Sequence, residues 1–207
     1  MARSQPRLVV FAKAPQPGHA KTRLIPALGA RGAAALAQRL LAHALQQALQ
    51  AGIGPVELCM SPPPGDTAWE KIAIPAAVLR TVQGEGDLGE RMARAVRRVT
   101  ADDGRPVLLM GSDCPALTAA VIREAARQLP THAALLVPVA DGGYVLVGLK
   151  SPCPTLFGQM PWSTATVAAE TLSRMAALGL KVWQGPLLHD IDEPADLAQL
   201  PAGYLGP

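Results

Sequence analysis

The chain has 207 residues, a formal net charge of +3, 49% apolar residues and 17% charged residues. This composition excludes a disordered or acidic tail, because the apolar content is high enough to build a core. No apolar run approaches the roughly 18 residues that a membrane helix needs, and no signal peptide is visible. Three widely separated cysteines argue against a disulfide framework. We therefore expect a folded cytoplasmic protein without a membrane span.

Charge is distributed unevenly along the chain. Residues 1–50 contain seven cations and no acid, whereas the segment after Lys181 contains four acids and no lysine or arginine. The few aromatic residues do not interleave with the basic segment, so the stacking platforms typical of nucleic-acid binding are missing. We expect a small anionic ligand rather than a nucleic acid.

Short apolar runs alternate with longer stretches of helical periodicity, which is typical of βα units around a mostly parallel sheet. Strands are predicted at 8–12, 56–60, 78–82, 107–110, 135–139 and 144–149, and helical faces at 36–49, 88–99, 121–129 and 168–176. The Asp-Gly pair at 141–142 predicts a hairpin and one antiparallel strand. We expect an α/β fold with three layers, α/β/α, and a mixed sheet, forming a single domain over residues 1–207.

The first candidate loop lies just beyond the first predicted strand and carries Lys13, Lys21 and Arg23. Ligands of open α/β sheets collect at the carboxyl ends of the strands, so three cations without a neighbouring acid predict an anion site. The P-loop pattern fails because Gly18 lies only three residues before Lys21 and Ala20 precedes the lysine, and the dinucleotide-binding pattern fails because the loop lacks GxGxxG. A solvated basic loop is the alternative.

Acidic residues occupy two later loops. Asp113 follows the predicted strand 107–110 directly and suits a hard cation, although an ordinary helix-capping role would also explain it. Asp190 and Asp192 alternate along an extended segment and so share one side, where they repel each other unless a positive charge lies between them. If both are exposed, the pair carries no functional meaning. Cys114 is interpreted as a small packed side chain.

Three further features receive weaker interpretations. The glycines in 83–91 would let the backbone approach a ligand, but a plain turn explains them nearly as well. Ser163 or Thr164 is expected to cap a helix that begins at Ala165. Arg98 and the neighbouring arginines are expected to form a solvated helix face that contributes little.

Several of these segments resemble nucleotide-diphospho-sugar transferases of the GT-A type. AKTRL at 20–24 resembles the start of 2-phospholactate guanylyltransferase, SDCPAL at 112–117 the DxP loop of nucleotidyltransferases, and DIDEPADL at 190–197 their terminal motif. GDLGERM at 86–92, DGGY at 141–144 and PWST at 161–164 are similar to an uncharacterised bacterial family labelled glycosyltransferase-like, or radical-SAM/selenodomain-associated transferase 1. The resemblance covers almost the whole chain.

The resemblance implies roles for particular residues. Asp113, Asp190 and Asp192 would hold Mg²⁺ or Mn²⁺, and Lys13, Lys21, Arg23 and Asp113 would form the catalytic set. Nucleotide and substrate contacts would come from Ala12, Thr22, Gly86, Asp87, Leu88, Gly89, Arg91, Asp141, Gly142, Gly143, Trp162, Ser163 and Thr164.

The expected function is a Mg²⁺-dependent transfer from a nucleotide donor to a small-molecule acceptor. The single acid in the Ser112-Asp113-Cys114 loop, where sugar-transferring relatives carry DxD, favours nucleotidyl transfer from a nucleoside triphosphate to an acceptor phosphate or similar oxyanion, with release of pyrophosphate. Glycosyl transfer from a nucleotide sugar is the first alternative, and a nucleotide-binding module without turnover is the second. The sequence leaves open whether the chain forms a homodimer.

Overall fold

The computed structural model describes residues 5–201 and residue 204. The strands are β1 (Arg7–Lys13), β2 (Val56–Ser61), β3 (Leu79–Val82), β4 (Val107–Met110), β5 (Ala134–Pro138), β6 (Tyr144–Leu149) and β7 (Val182–Gln184). The longer helices are α1 (Ile25–Ala51), α2 (Leu88–Arg97), α3 (Ala119–Gln128) and α4 (Val167–Ala177).

The strands form one mixed sheet of seven strands in the order β3-β2-β1-β4-β6-β5-β7. β6 runs antiparallel to both of its neighbours, as the hairpin signal predicted, and the other pairs are parallel. The six predicted strands are all present. β7 was not predicted from the sequence, because three partly exposed residues are too few to show a periodic pattern.

The helices cover both faces of the sheet and give the predicted three layers. Side chains alternate across a strand, so Leu8 and Leu108 pack under α1 and α3, while Val9 and Leu109 pack under α2 and α4. α1 ends at Gly52, whose φ of 61° is a left-handed conformation that glycine adopts readily. The predicted α/β architecture with a mostly parallel sheet is confirmed.

The predicted start of the last long helix was wrong. α4 begins at Val167, and Thr166 occupies the N-cap position without a side-chain cap. The hydroxyl of Thr164 donates to the carbonyl of Pro161 at 2.8 Å, and Ser163 has a φ of 64°. Residues 163–165 therefore form a separate turn before the helix.

The expected solvated arginine face was also wrong for Arg98. Its guanidinium donates to both carboxylate oxygens of Glu57, a residue on β2 whose side chain is completely buried. Thr81 donates to the same carboxylate at 2.6 Å, and Arg7 lies 3.5 Å from it. These four residues, here called the Glu57 cluster, join β1, β2, β3 and the end of α2.

The sheet brings the predicted loops to one edge. β1, β4 and β5 end there and the antiparallel β6 begins there. The segment after β7 returns to this edge, where the Ala140 amide donates to Leu188 at 2.9 Å and the Ile191 amide donates to Asp113 at 3.0 Å. Within residues 5–201, no helix has both the length and the apolar character required to cross a bilayer.

Candidate functional site

Lys21 connects the first candidate loop with the two acidic loops. It has a left-handed backbone, and its side chain is 5% exposed. The ammonium nitrogen lies 2.9 Å from Oδ2 of Asp113 and donates to Oδ1 of Asp192 at 2.6 Å. Burial alone would lower the pKa of Lys21, but attraction to the two carboxylates outweighs it and raises that pKa. We call Lys21, Asp113 and Asp192 the Lys21 cluster.

Three carboxylates, one of them from this cluster, lie in positions suited to a cation. One oxygen from each of Asp141, Asp190 and Asp192 lies within 4.8 Å of the others. Burial raises the pKa of Asp190 to about 6, and repulsion from Asp141 and Asp192 adds to the effect. Mg²⁺ prefers oxygen ligands at about 2.0–2.1 Å, so this donor set fits a hard divalent ion after small side-chain movements.

The position of Asp113 differs from that of the other acids. Its carboxylate faces Lys21 and accepts a hydrogen bond from the hydroxyl of Ser112 at 3.2 Å. Asp141, which the sequence suggested as a substrate contact, lines the acidic cavity and also completes the carboxylate triad. Asp190 and Asp192 share one side as predicted, because Ile191 between them is completely buried.

Two cavities meet at the Lys21 cluster. The basic cavity has a volume of about 550 Å³ and is lined by the cations Lys13, Lys21 and Arg23, by His19 and by Thr22. The acidic cavity has a volume of about 580 Å³. Residues that line both are Phe11, Arg23, Leu88, Gly111, Asp113, Ser163 and Asp192. The two cavities therefore adjoin, and a ligand in either one could reach these shared residues.

The basic cavity keeps most of its cationic groups accessible. Lys13 is exposed at the end of β1, and the side chain of Arg23 is 59% exposed and 3.8 Å from Glu193. Gln83 also lines this cavity and donates to the carbonyls of Ala12 and Cys59 at 3.1 and 3.0 Å. Sequence reasoning gave Gln83 no role, since its partners lie far away along the chain.

The acidic cavity is lined by two chemically different groups of side chains. Its carboxylates belong to Asp113, Asp141, Asp190, Asp192 and Glu193, and its apolar lining includes Phe11, Leu88, Met92, Leu109, Tyr144, Val145, Trp162 and Val167. Trp162, Ser163, Thr164 and Gly143 were predicted contacts and do line it. Most residues of the apolar lining were not predicted, because the direction in which their side chains point depends on the register between β4 and β6.

Five predicted binding residues line neither of the two cavities. Asp87 caps α2 through reciprocal bonds with Glu90, and Arg91 donates to Gly86 at 2.8 Å. Gly89 and Gly142 permit close packing, since a Cβ would lie 2.3 Å from the Phe157 carbonyl and 2.0 Å from the Ala165 carbonyl, respectively. In the structure these residues shape the surrounding loops, and their binding role stays a prediction.

Cys114 is packed as expected. It is buried, and its thiol donates to the carbonyl of His189 at 3.1 Å. Burial raises the pKa of this thiol to about 11, so the reactive thiolate is scarce at neutral pH. The structure therefore gives no support to a nucleophilic cysteine.

Comparison with known proteins identifies the family. The model of the family DUF2064, described as an uncharacterized protein conserved in bacteria, matches residues 28–164. The chain belongs to the DUF2064 family. The match includes Asp113, Asp141 and the 162–164 turn, whereas Lys21 and the terminal aspartates lie outside it. No curated protein matches the chain.

Solved structures show the fold of this DUF2064 protein in other molecules. A candidate nucleotide-diphospho-sugar transferase from Desulfovibrio desulfuricans G20 is 33% identical, with a TM-score of 0.83 over 92% of this chain and 83% of that chain. CMP:2-keto-3-deoxy-manno-octonic acid synthetase complexed with CTP is 14% identical, with a TM-score of 0.57 over 95% and 96% of the two chains.

A third structure, Rv0371c from Mycobacterium tuberculosis H37Rv in complex with manganese, is 18% identical, with a TM-score of 0.56 over 96% and 98% of the two chains. At these identities the last two show the fold alone. Together the likenesses confirm the GT-A-like fold. The likeness at 33% identity groups the DUF2064 protein with transferases at a coarse level.

Proposed function

We propose that this protein transfers a group from a nucleotide donor, which binds with Mg²⁺ or Mn²⁺ where the two cavities meet. The observation that carries the proposal is the Lys21 cluster, in which one buried cation holds aspartates from two distant loops between a basic and an acidic cavity. Such transfers depend on positioning and charge neutralisation rather than on a covalent nucleophile.

The basic cavity is assigned to the donor phosphates. Lys13 and Arg23 are exposed there and carry fixed positive charge. Lys21 acts differently, because its ammonium group is already paired with two carboxylates. Its proposed role is to orient Asp113 and Asp192 toward the junction of the cavities.

The carboxylates are assigned to the divalent ion. Asp141, Asp190 and Asp192 offer a set of three neighbouring carboxylate oxygens, and Asp113 is joined to this set through the Lys21 ammonium group, which pairs with Asp113 and Asp192. When bound, a divalent cation neutralises phosphate charge and lowers the barrier to departure of the leaving group. The manganese complex of the Mycobacterium tuberculosis protein supports this assignment.

Nucleotidyl transfer is the reaction we favour. An acceptor oxygen forms a bond to the α-phosphorus, the bond from that phosphorus to the bridging oxygen breaks, and its electron pair leaves with pyrophosphate. The single aspartate in the Ser112-Asp113-Cys114 loop and the likeness to a CTP-bound synthetase support this reaction.

Glycosyl transfer is the second candidate. The 33% identical relative is described as a candidate nucleotide-diphospho-sugar transferase, and this observation favours a nucleotide-sugar donor. The same residues would then stabilise a departing nucleoside diphosphate.

Product release separates the two reactions. Pyrophosphate release is measured with each of four nucleoside triphosphates, and nucleoside diphosphate release with common sugar nucleotides, each with Mg²⁺ and a pool of small acceptors. We expect pyrophosphate release, and its loss in Asp113→Asn but not in the exposed control Glu70→Gln. Diphosphate release would favour glycosyl transfer. If the parent protein gives no product with any acceptor and tight nucleotide binding survives Asp113→Asn, the result would indicate a module without turnover.

A further inference from the structure

We infer that the acceptor is an uncharged molecule that presents one hydroxyl group to the aspartates and an apolar face to the apolar side chains of the acidic cavity. This inference rests on the proposed function and names the class of its second substrate. It departs from the oxyanion acceptor that the sequence suggested.

The charges around the acidic cavity argue against an anionic acceptor. Five carboxylates line the cavity, while Arg23 lines it and Lys21 lies against Asp113 and Asp192. The five carboxylates exceed the two cations by three negative charges. One bound divalent ion would still leave a net charge of −1. Because donor phosphates would add further negative charge, an acceptor phosphate would be repelled at the place where it must react.

The accessible apolar side chains of the cavity supply the attraction. Leu88 is 44% exposed and lines the cavity together with the partly exposed aromatic side chains of Phe11, Tyr144 and Trp162. Covering such a surface with an apolar or ring-shaped molecule is favourable because it removes apolar area from water. A volume of about 580 Å³ lies in the range of sites that enclose small organic ligands.

The two groups of lining side chains set the orientation of the acceptor. With its apolar face against Leu88 and Trp162, its hydroxyl group is presented to the carboxylates that line the same cavity. In the transfer step the hydroxyl oxygen bonds to the transferred atom of the donor, the bond to the leaving group breaks with its electron pair, and the hydroxyl proton passes to a carboxylate of the cavity.

Two small aryl compounds test the charge requirement directly. Phenyl β-D-glucopyranoside is neutral and carries hydroxyl groups, whereas phenyl phosphate carries the same ring with a dianionic head. Each compound is titrated into the protein in EDTA without donor, and tryptophan fluorescence is followed. The variant Trp162→Phe shows which part of the signal comes from Trp162, because the other two tryptophans, Trp69 and Trp183, line neither cavity. We expect the glucoside to bind about ten-fold or more tightly than the phosphate.

Variants separate charge from apolar contact. Asp141→Asn keeps an oxygen that can accept the hydrogen bond from the Gly143 amide, which is 2.8 Å long. Because the variant removes one negative charge, it should bind phenyl phosphate about three-fold more tightly. Leu88→Ser should weaken glucoside binding, whereas Leu187→Ser, at a 63% exposed position away from both cavities, should not.

Equal or tighter binding of phenyl phosphate, or no saturable binding of the glucoside, would overturn the inference. Mg²⁺ in excess over EDTA is then added with either nucleoside triphosphates or sugar nucleotides, and the rise in melting temperature is recorded. If neither kind of donor gives a rise, the proposed function fails. If it is present and the phosphate is preferred, only the acceptor class is wrong.

Discussion

The Glu57 cluster and the Lys21 cluster both place charged groups in poorly hydrated positions, but they differ in balance and in access. In the Glu57 cluster one completely buried carboxylate is surrounded by Arg98, Arg7 and a hydroxyl donor. In the Lys21 cluster one buried cation meets two acids whose side chains are 45% and 38% exposed. The first arrangement satisfies its charge internally, whereas the second keeps negative charge at the border of two cavities and can act on a ligand.

The largest expected effect comes from Glu57. Glu57→Gln should lower the free energy of unfolding by about 3–5 kcal/mol, because Arg98 would lose the carboxylate that compensates it. Urea denaturation measures the change, with the exposed Glu70→Gln as control. Nucleotide affinity per folded molecule should stay unchanged. A variant as stable as the parent protein would show that this cluster is not structural.

Lys21 should affect activity more than stability. Lys21→Met releases Asp113 and Asp192 from their shared partner, and we expect at least about a hundred-fold loss of product release, typical of a lost electrostatic contact in an active site. Mg²⁺ should raise the melting temperature of this variant more than that of the parent protein, since a cation can replace the missing ammonium group. Lys71→Met at an exposed position is the control. Full activity in Lys21→Met would contradict the proposed role.

Substitutions of Arg23 and Arg98 should have different effects, the first on donor binding and the second on stability. Arg23→Ala should weaken donor binding about ten-fold with little change in melting temperature, because an exposed side chain contributes little to stability. Arg98→Ala should lower the melting temperature and leave donor affinity nearly unchanged. Isothermal titration and thermal unfolding of both variants check the pair. Equal losses of affinity would remove the distinction between the two clusters.

The smallest effect concerns Asp190 and pH. Its pKa of about 6 lies above the ordinary 3.8, so the folded state holds this proton more strongly than the unfolded state. Stability should therefore fall as pH rises from about 4 to about 6 and then level off. In EDTA, Asp190→Asn should be more stable than the parent protein by about 1 kcal/mol above pH 6, a value reduced for solvent screening, and equal to it near pH 4. The same difference at both pH values would exclude Asp190 as its source.

Local patterns were enough to predict most of the fold. The alternation of apolar runs and helical faces predicted the α/β layers, and the 141–142 pair predicted the antiparallel strand. The start of α4 was missed, because Ser163 and Thr164 have the composition of a cap but belong to an earlier turn.

The site was only partly predictable, because its remaining features depend on distant contacts. Lys21, Asp113 and Asp192 stood out as charges beyond strand ends. The third member of the carboxylate triad, Asp141, reaches the site through the pairing of Val139 with Leu188, which follows the unpredicted β7. The partner of Arg98 likewise lies 41 positions away on β2.

Ile191 fixes the register of the terminal segment relative to the rest of the site. Its side chain is anchored among Leu24, Leu36 and Leu40, and its amide is tied to the loop of Asp113. With one anchored residue between two outward carboxylates, inserting a single residue at this point would turn one aspartate inward or pull the anchor out. The spacing between Asp190 and Asp192 is thus as important as their identity. A variant that keeps both aspartates but changes the number of residues between them would no longer form the carboxylate triad.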